Sequence, residues 1–546
     1  MQVHLLYPDR EWKGTQRYFD YKSIIADLGL EVLFRTAARE QLKQEGAIQK
    51  ILEADAYLEN AMRQVMMVPL ENSAQICYRQ DILKDFLENE ELIRELYAFA
   101  SETLALWDRL GRRQNEKNNI RDAGVNLVTD VYLLRLFTTR LHMLKELLER
   151  HQQTFHSQGL CCLLEGLQQD FSPEMEEQLN QILEDISFYV DKEADPFERR
   201  NKKIIKKAYI MLQCEISQGL KFGSFKLEEV ETLGKKYKRH KHKRTLMQKY
   251  LGAFASSPSM LLKEDILLAE TMQLEYQIVH YLTSCCDSFL YGCREFFDEL
   301  CFQTAFYRGA LNLLHRLERH QLAYCYPSVG AQQNLKFREL KDFGMAIEQL
   351  TNPVGNASDI RGKRLLVVTG ANQGGKSTFL RSIGLAQVMM QCGLFVAAES
   401  FESGIFPAFF THFTRREDSE MNSGRLDEEL GRMNQIIENL GERSLVLLNE
   451  SFATTTEKEG SVIAYDIVKA MTEAGVKVLT VTHLLSFAKR VYEEGSAGAE
   501  FLSAERLPDG RRTFKMIQHA PELTSFGLDL YEQMVGETGK GADVLI

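Results

Sequence analysis

Thr369-Gly370-Ala371-Asn372-Gln373-Gly374-Gly375-Lys376-Ser377-Thr378 follows the apolar run Leu365-Leu366-Val367-Val368 and precedes Phe379-Leu380-Arg381-Ser382-Ile383. Apolar run, glycine-rich loop and helix-like opening stand in the order a P-loop needs. The pattern G-x-x-x-x-G-K-[ST] is met by Gly370, Gly375, Lys376 and Ser377. Backbone N–H groups that crowd around a phosphate leave no room for a Cβ, which accounts for glycine at 370, 374 and 375. In that reading the loop from Gly370 through Asn372 to Thr378 holds the triphosphate of ATP. Lys376 lies against the β- and γ-phosphates, and the Ser377 hydroxyl ligates Mg²⁺. The bland reading is a glycine-rich turn that happens to contain Lys-Ser.

Two further strand ends fit the same site. Ser444-Leu445-Val446-Leu447-Leu448 runs into Asn449-Glu450, where many P-loop enzymes carry Asp-Glu. An amide oxygen at Asn449 still accepts a water ligand of Mg²⁺ but brings no charge, so weaker metal retention is expected. Glu450 is the candidate general base. Thr480-Val481-Thr482 ends on His483, a candidate sensor of the γ-phosphate. Ser423-Gly424, in a loop feeding a helix from about Leu426 to Leu440, offers a hydroxyl and backbone N–H groups to a phosphate.

Around these motifs, strand-like runs alternate with helices after Pro327, which predicts a mostly parallel sheet covered by helices over about 335–546. The preceding residues read as helical. The expected organisation is multidomain: an unassigned segment 1–40, a helical core 41–200, a basic insert 201–260, a long helix within 261–334, and the α/β P-loop NTPase domain. Between Pro258 and Pro327 no proline occurs, and apolar residues from Ile266 to Leu317 recur at helical spacing. One helix of ~50 residues would span ~75 Å; two helices broken near Gly292 or Gly309 are the other possibility. The 546 residues carry a net charge of −11, so any nucleic-acid contact must be local. Such a place exists in the cluster Lys235, Lys236, Lys238, Arg239, Lys241, Lys243 and Arg244, with two histidines and no acid. No base-reading code is evident there, so contact would be with the backbone. The 10 cysteines form no C-x-x-C pair, no signal-peptide pattern opens the chain, and no run of 18 apolar residues occurs. These features fit buried thiols and a reducing cytoplasm, and give no membrane partner.

Taken together, the motifs resemble the MutS family of DNA mismatch-repair ATPases. The P-loop departs from the family's form only at Ala371 and Gln373. Phe413-Thr414-Arg415 with Ser423-Gly424-Arg425, and Thr524-Ser525-Phe526-Gly527-Leu528, are similar to two further family signatures, and Arg79-Gln80 is similar to an element of its core domain. The resemblance implies an ABC-like ATPase domain and a homodimer with composite sites. Ser423 of one copy would approach the γ-phosphate held by the other. It also implies a role in DNA repair or recombination, with a clamp on the DNA near 235–244. The departures are Asn449 for Asp, Ser451-Phe452-Ala453-Thr454 in place of the family's glycine-containing loop, and no Phe-x-Glu wedge before the core. A shortened branch without the mismatch-reading domain is the expectation. A non-hydrolysing ATP switch and a scaffold indifferent to DNA remain open.

Overall fold

The computed structural model describes residues 2–8, 17–39, 55–110, 120–186, 208–217, 221–232, 264–349, 352–414, 425–495, 498–507 and 510–521. The basic cluster at 235–244, Ser423 and the 524–528 signature lie outside them. Two compact units are present, one of 1–3, 95–153 and 161–301, the other of 4–94, 154–160 and 302–546.

The second unit is built on a six-stranded sheet in the order β12(Arg512–Gln518), β11(Ala499–Arg506), β6(Leu365–Gly370), β10(Lys477–Val481), β9(Ser444–Asn449), β8(Ala408–Phe413). All neighbours are parallel except the antiparallel pair β11–β12. The apolar run of β6 is buried throughout, as expected for a parallel strand covered on both faces. On one face Leu365, Val367, Val446 and Val478 pack with Met433 and Ile436 of α12(Arg425–Glu438), Val468 of α13(Glu457–Glu473) and Phe487 of α14(Leu485–Glu493). Each such buried side chain contributes roughly 1.5–3 kcal/mol. The other face carries α11(Lys376–Gln391) and α1(Tyr21–Leu28). A four-stranded sheet, β3(Ser328–Val329), β7(Ser400–Ser403), β4(Leu335–Leu340) and β5(Asn356–Asp359) in that order, adjoins it.

Arg79, on α4(Ser73–Glu88), ties the rest of this unit together. It is fully buried. Its Nε donates to the Leu6 carbonyl at 2.9 Å and its Nη1 to the Cys392 carbonyl, just past α11, at 3.1 Å. The guanidinium lies 4.7 Å from the Tyr7 ring centroid and 5.7 Å from that of Phe306.

The expected long helix is continuous. α9(Glu264–Arg319) has 56 residues and runs unbroken through Gly292 and Gly309. Its length is about 84 Å, and the division between the units falls inside it. In the first unit its Phe297 stacks on Phe137 of α6(Ile120–His151), centroids 5.7 Å apart, and Phe137 stacks on Trp107 of α5(Glu90–Leu110) at 5.4 Å. This unit also holds α8(Pro173–Ile186), within the expected helical core, and an antiparallel hairpin, β1(Ala208–Ser217) and β2(Lys221–Thr232), which the sequence reading of 201–260 as a basic insert did not foresee. Among the described residues no helix is long and apolar enough to cross a membrane.

Lys477 opens β10 from a position 1% exposed, its Nζ 2.7 Å from the carbonyls of Gln333 and of Lys363. Burial pushes its amine down to about 7. A neutral amine keeps two N–H donors, enough for both carbonyls. Between that value and the unfolded lysine range the unfolded chain binds more protons, so stability rises with pH. From pH 7 to 8 the gain is about 1 kcal/mol. Urea unfolding across this range should show it in the wild type, and Lys477→Met should remove that increment.

Candidate functional site

Three neighbouring strands deliver the site. β10 pairs with β6 so that Val481 faces Val368, and with β9 so that Val481 faces Asn449. Gly370, Asn449-Glu450 and Thr482-His483 therefore emerge at one edge. Thr482 N donates to the Val368 carbonyl at 3.1 Å, and Glu450 N to the Val481 carbonyl at 2.9 Å, which extends the alignment one residue past the strands.

The loop needs its glycines. Gly370 has φ +105°, and a Cβ there would sit 2.8 Å from Ala504 N of β11. At Gly374 a Cβ would sit 2.8 Å from the Ala504 Cβ and 2.9 Å from the Ala371 carbonyl oxygen. Lys376 begins α11 and folds back, its Nζ donating to the carbonyls of Gly370 and Ala371 at 2.9 Å each. It is only 4% exposed. Burial brings its amine down to about 8, against the pull of Glu450 and helped by the charge of Arg512. The Ser377 hydroxyl donates to Asn449 Oδ1 at 2.9 Å. Glu450, at φ +57°, accepts from His483 Nε2 at 2.9 Å. That hydrogen bond, then the charges of His483 and Lys376, hold its carboxyl below the usual range, although burial opposes them.

Asn372, Gly374, Gly375, Lys376, Ser377, Thr378, Glu450 and His483 line one cleft of about 470 Å³. Gly370 stands at its base, and Asn449 reaches it through Ser377. Sequence reasoning did not name the cleft's apolar half. Leu340, Met345, Pro353, Val354 and Phe514 form it. Phe514 is 46% exposed at φ +60° and lies over Gly375. Asn356 fixes it by accepting from Met516 N at 2.7 Å and donating to the Phe514 carbonyl at 3.2 Å. These residues come from four separate segments, and no local pattern announces them. Arg512 hydrogen-bonds Gln373 at the tip of the loop, 3.2 Å away.

The cleft thus offers clustered loop N–H groups, a buried amine, a hydroxyl–amide oxygen pair, a carboxylate and an aromatic ledge. Among the described residues no group of three His, Cys, Asp or Glu side chains could hold a metal alone. Ser377 and Asn449 are neutral oxygen donors, a set that suits Mg²⁺ only when phosphate and water complete its shell.

Such a loop, set in a mixed helical and α/β chain, defines the class. Residues 366–536 match MutS domain V, and residues 71–199 match the MutS2 N-terminal domain. The chain belongs to the MutS family. It is 32% identical over 189 residues to Endonuclease MutS2 of Pediococcus pentosaceus, a stretch of 34% of this chain and 24% of that protein. It is 34% identical over 134 residues to MutS protein homolog 4 of Mus musculus, covering 24% and 14%. Against DNA mismatch repair protein MutS of a Thermotoga species it is 38% identical over 121 residues, covering 22% and 15%. The matched stretches span at most 24% of these relatives' own length.

Gly370→Ala should cost about 3 kcal/mol or more, because Cβ meets the backbone of β11 at an unfavourable φ. Gly362→Ala, at φ +71° with open space around it, should cost about 1 kcal/mol. Urea midpoints of the two variants measure the difference.

Proposed function

We propose that this MutS-family chain binds ATP with Mg²⁺ in the cleft at 370–378, hydrolyses it slowly, and couples the cycle to closure of a homodimer on DNA. The observation that carries the reading is the convergence of Lys376, Ser377–Asn449 and the Glu450–His483 pair on one glycine-rich loop. Lys376 is held by its own loop's carbonyls, and a triphosphate would offer it charged oxygens instead. Phe514, Val354 and Met345 supply an apolar bed for the base. Ser377 and Asn449 would hold the Mg²⁺, whose charge polarises the phosphates. Glu450 takes the proton from the attacking water, and His483 orients Glu450 and senses the γ-phosphate. Ser423 of a second copy would complete the site. ATP and water become ADP and phosphate. DNA would be gripped through its backbone by the basic residues from Lys235 to Arg244, in a role in repair or recombination.

A second reading has one observation behind it. Ser377 faces the amide of Asn449 where a carboxylate would be expected. With metal retention weakened, ATP could act as a switch that is bound and released intact. Steady-state ATPase assays separate the two. Hydrolysis predicts that Glu450→Gln lowers kcat by about 100-fold or more with KM little changed. Equal, near-zero rates in wild type and variant support the switch.

For DNA, fluorescence anisotropy at two salt concentrations is the test. Reversing the charges between Lys235 and Arg244 should weaken binding on every duplex alike and flatten the salt dependence. Unchanged binding would place the DNA contact outside this cluster, and no binding at low salt would favour a scaffold that ignores DNA.

A further inference from the structure

The loop after β9 carries Glu450 and is held in an unfavourable shape. Glu450 has φ +57° and Phe452 has φ +63°, conformations that side chains with a Cβ avoid unless the surroundings impose them. The surroundings here centre on Glu429 of α12. Glu429 is 3% exposed. Its carboxylate spends one oxygen on Phe452 N, at 2.8 Å, and the other on the Thr454 hydroxyl, at 2.6 Å. A buried carboxylate has only acceptors to offer, and both of its donors come from the four residues that follow Glu450.

The other contacts point the same way. The fully buried Phe452 ring stacks on His412 of β8, centroids 5.9 Å apart at 26°. Ser451 Oγ lies 2.7 Å from His412 Nδ1 and 3.0 Å from the His412 carbonyl, and His412 Nε2 lies 3.2 Å from the Glu429 carbonyl. The Thr414 hydroxyl donates to the Glu450 carbonyl at 2.9 Å. On the far side, Gly460 of α13 leaves room for the Phe452 carbonyl, which a Cβ there would meet at 2.5 Å. β8, α12 and α13 thus close on one short loop. Glu429 is the only charged side chain among these contacts, and it pins the backbone two residues beyond Glu450.

We propose that Glu429 is a positioning residue: it fixes the turn Glu450–Thr454 so that the Glu450 carboxylate points into the cleft beside His483 and Lys376. The proposal rests on the reading of Glu450 as general base. Glu429 does not touch the cleft and takes no proton. In Glu429→Met a side chain of similar length offers no acceptor, so Phe452 N and the Thr454 hydroxyl both lose their partner, the turn loses its two anchors and the Glu450 carboxylate loses its aim. Misplacement of a catalytic group by about 1 Å costs up to about 100-fold in rate.

The test measures steady-state ATPase and binding of a fluorescent ATP analogue for the full chain and for Glu450→Gln, Glu429→Met and the double variant. The expected result is a tenfold or greater loss of kcat in Glu429→Met, with KM and analogue affinity within about twofold of wild type. Because Glu429 acts through Glu450, the double variant should be no slower than Glu450→Gln alone. Thr454→Val removes one donor and keeps the carboxylate. It should lower kcat less, again without a change in KM, and it carries the test if Glu429→Met does not fold. An unchanged kcat in Glu429→Met, or in Thr454→Val where that variant stands in, overturns the positioning role. So does a double variant slowed by the product of the single effects. A Glu450→Gln variant as fast as wild type would instead overturn the general-base reading, and the positioning role with it.

Discussion

Parallel register is the constraint on which the site depends. β6, β9 and β10 run side by side with Val368, Asn449 and Val481 level, so each strand ends at the same height. Whatever follows the strands is then delivered to one edge: the glycine-rich loop, the Asn449-Glu450 pair and His483. Open α/β sheets place ligands outside the carboxyl ends of their strands for this reason. The two hydrogen bonds beyond the strands, from Thr482 N and Glu450 N, carry the alignment into the candidate site residues themselves. A one-residue slip of β9 would turn Glu450 away and bring Ser451 to its place.

The second constraint is electrostatic. Lys376 and Lys477 are both buried, and burial lowers both amines. Each is satisfied by two backbone carbonyls, but their situations differ. Lys477 holds carbonyls of two other segments together, Gln333 before β4 and Lys363 before β6. Lys376 holds only its own loop, through Gly370 and Ala371, with Glu450 as the nearby opposite charge. A buried amine that closes a network between segments is structural in effect. One that grips its own loop at the rim of a cleft is available to a polyanion.

The fold was legible where local pattern and tertiary demand agreed. β6, β9 and β10 read as buried apolar runs because both their faces are covered. α9 read as helical because its apolar spacing persists for 56 residues. Its continuity through Gly292 and Gly309 could not be read, since an isolated glycine is tolerated inside a helix as well as at its end. A Cβ at Gly309 would meet Met62 at 2.8 Å, so close packing accounts for the glycine there, whereas Gly292 has open space around it. The helices α1 and α2(Leu30–Ala37) were missed within the unassigned first 40 residues, although Asp20, which accepts from Ser23 N, is an ordinary N-cap signal. In the site, the loop and the strand-end residues were legible because their chemistry is carried by short motifs. Phe514, Val354 and Met345 were not, because an apolar bed assembled from separate segments has no linear signature. Glu429 was hidden for another reason. It sits in the acidic run Asp427-Glu428-Glu429, where only the third residue turns inward.

Asn449 decides how these pieces balance. An aspartate there would set two adjacent carboxylates beside Lys376. Each would favour the ammonium and attract a cation, and each would oppose an incoming triphosphate. With the amide, Glu450 is the one carboxylate beside the loop among the residues lining the cleft, apart from Asp342, which is engaged by Arg381 at 2.6 Å and Met345 N at 2.8 Å. Lys376 and Arg512 are then opposed by less negative charge, and its own burial keeps the Lys376 amine near the point of losing its proton. A polyanion would repair that deficit by favouring the ammonium, whereas a divalent cation arriving first would find two neutral oxygens and little to hold it. On the proposed function, the amide at 449 favours one order of binding: anion first, metal with it or after it.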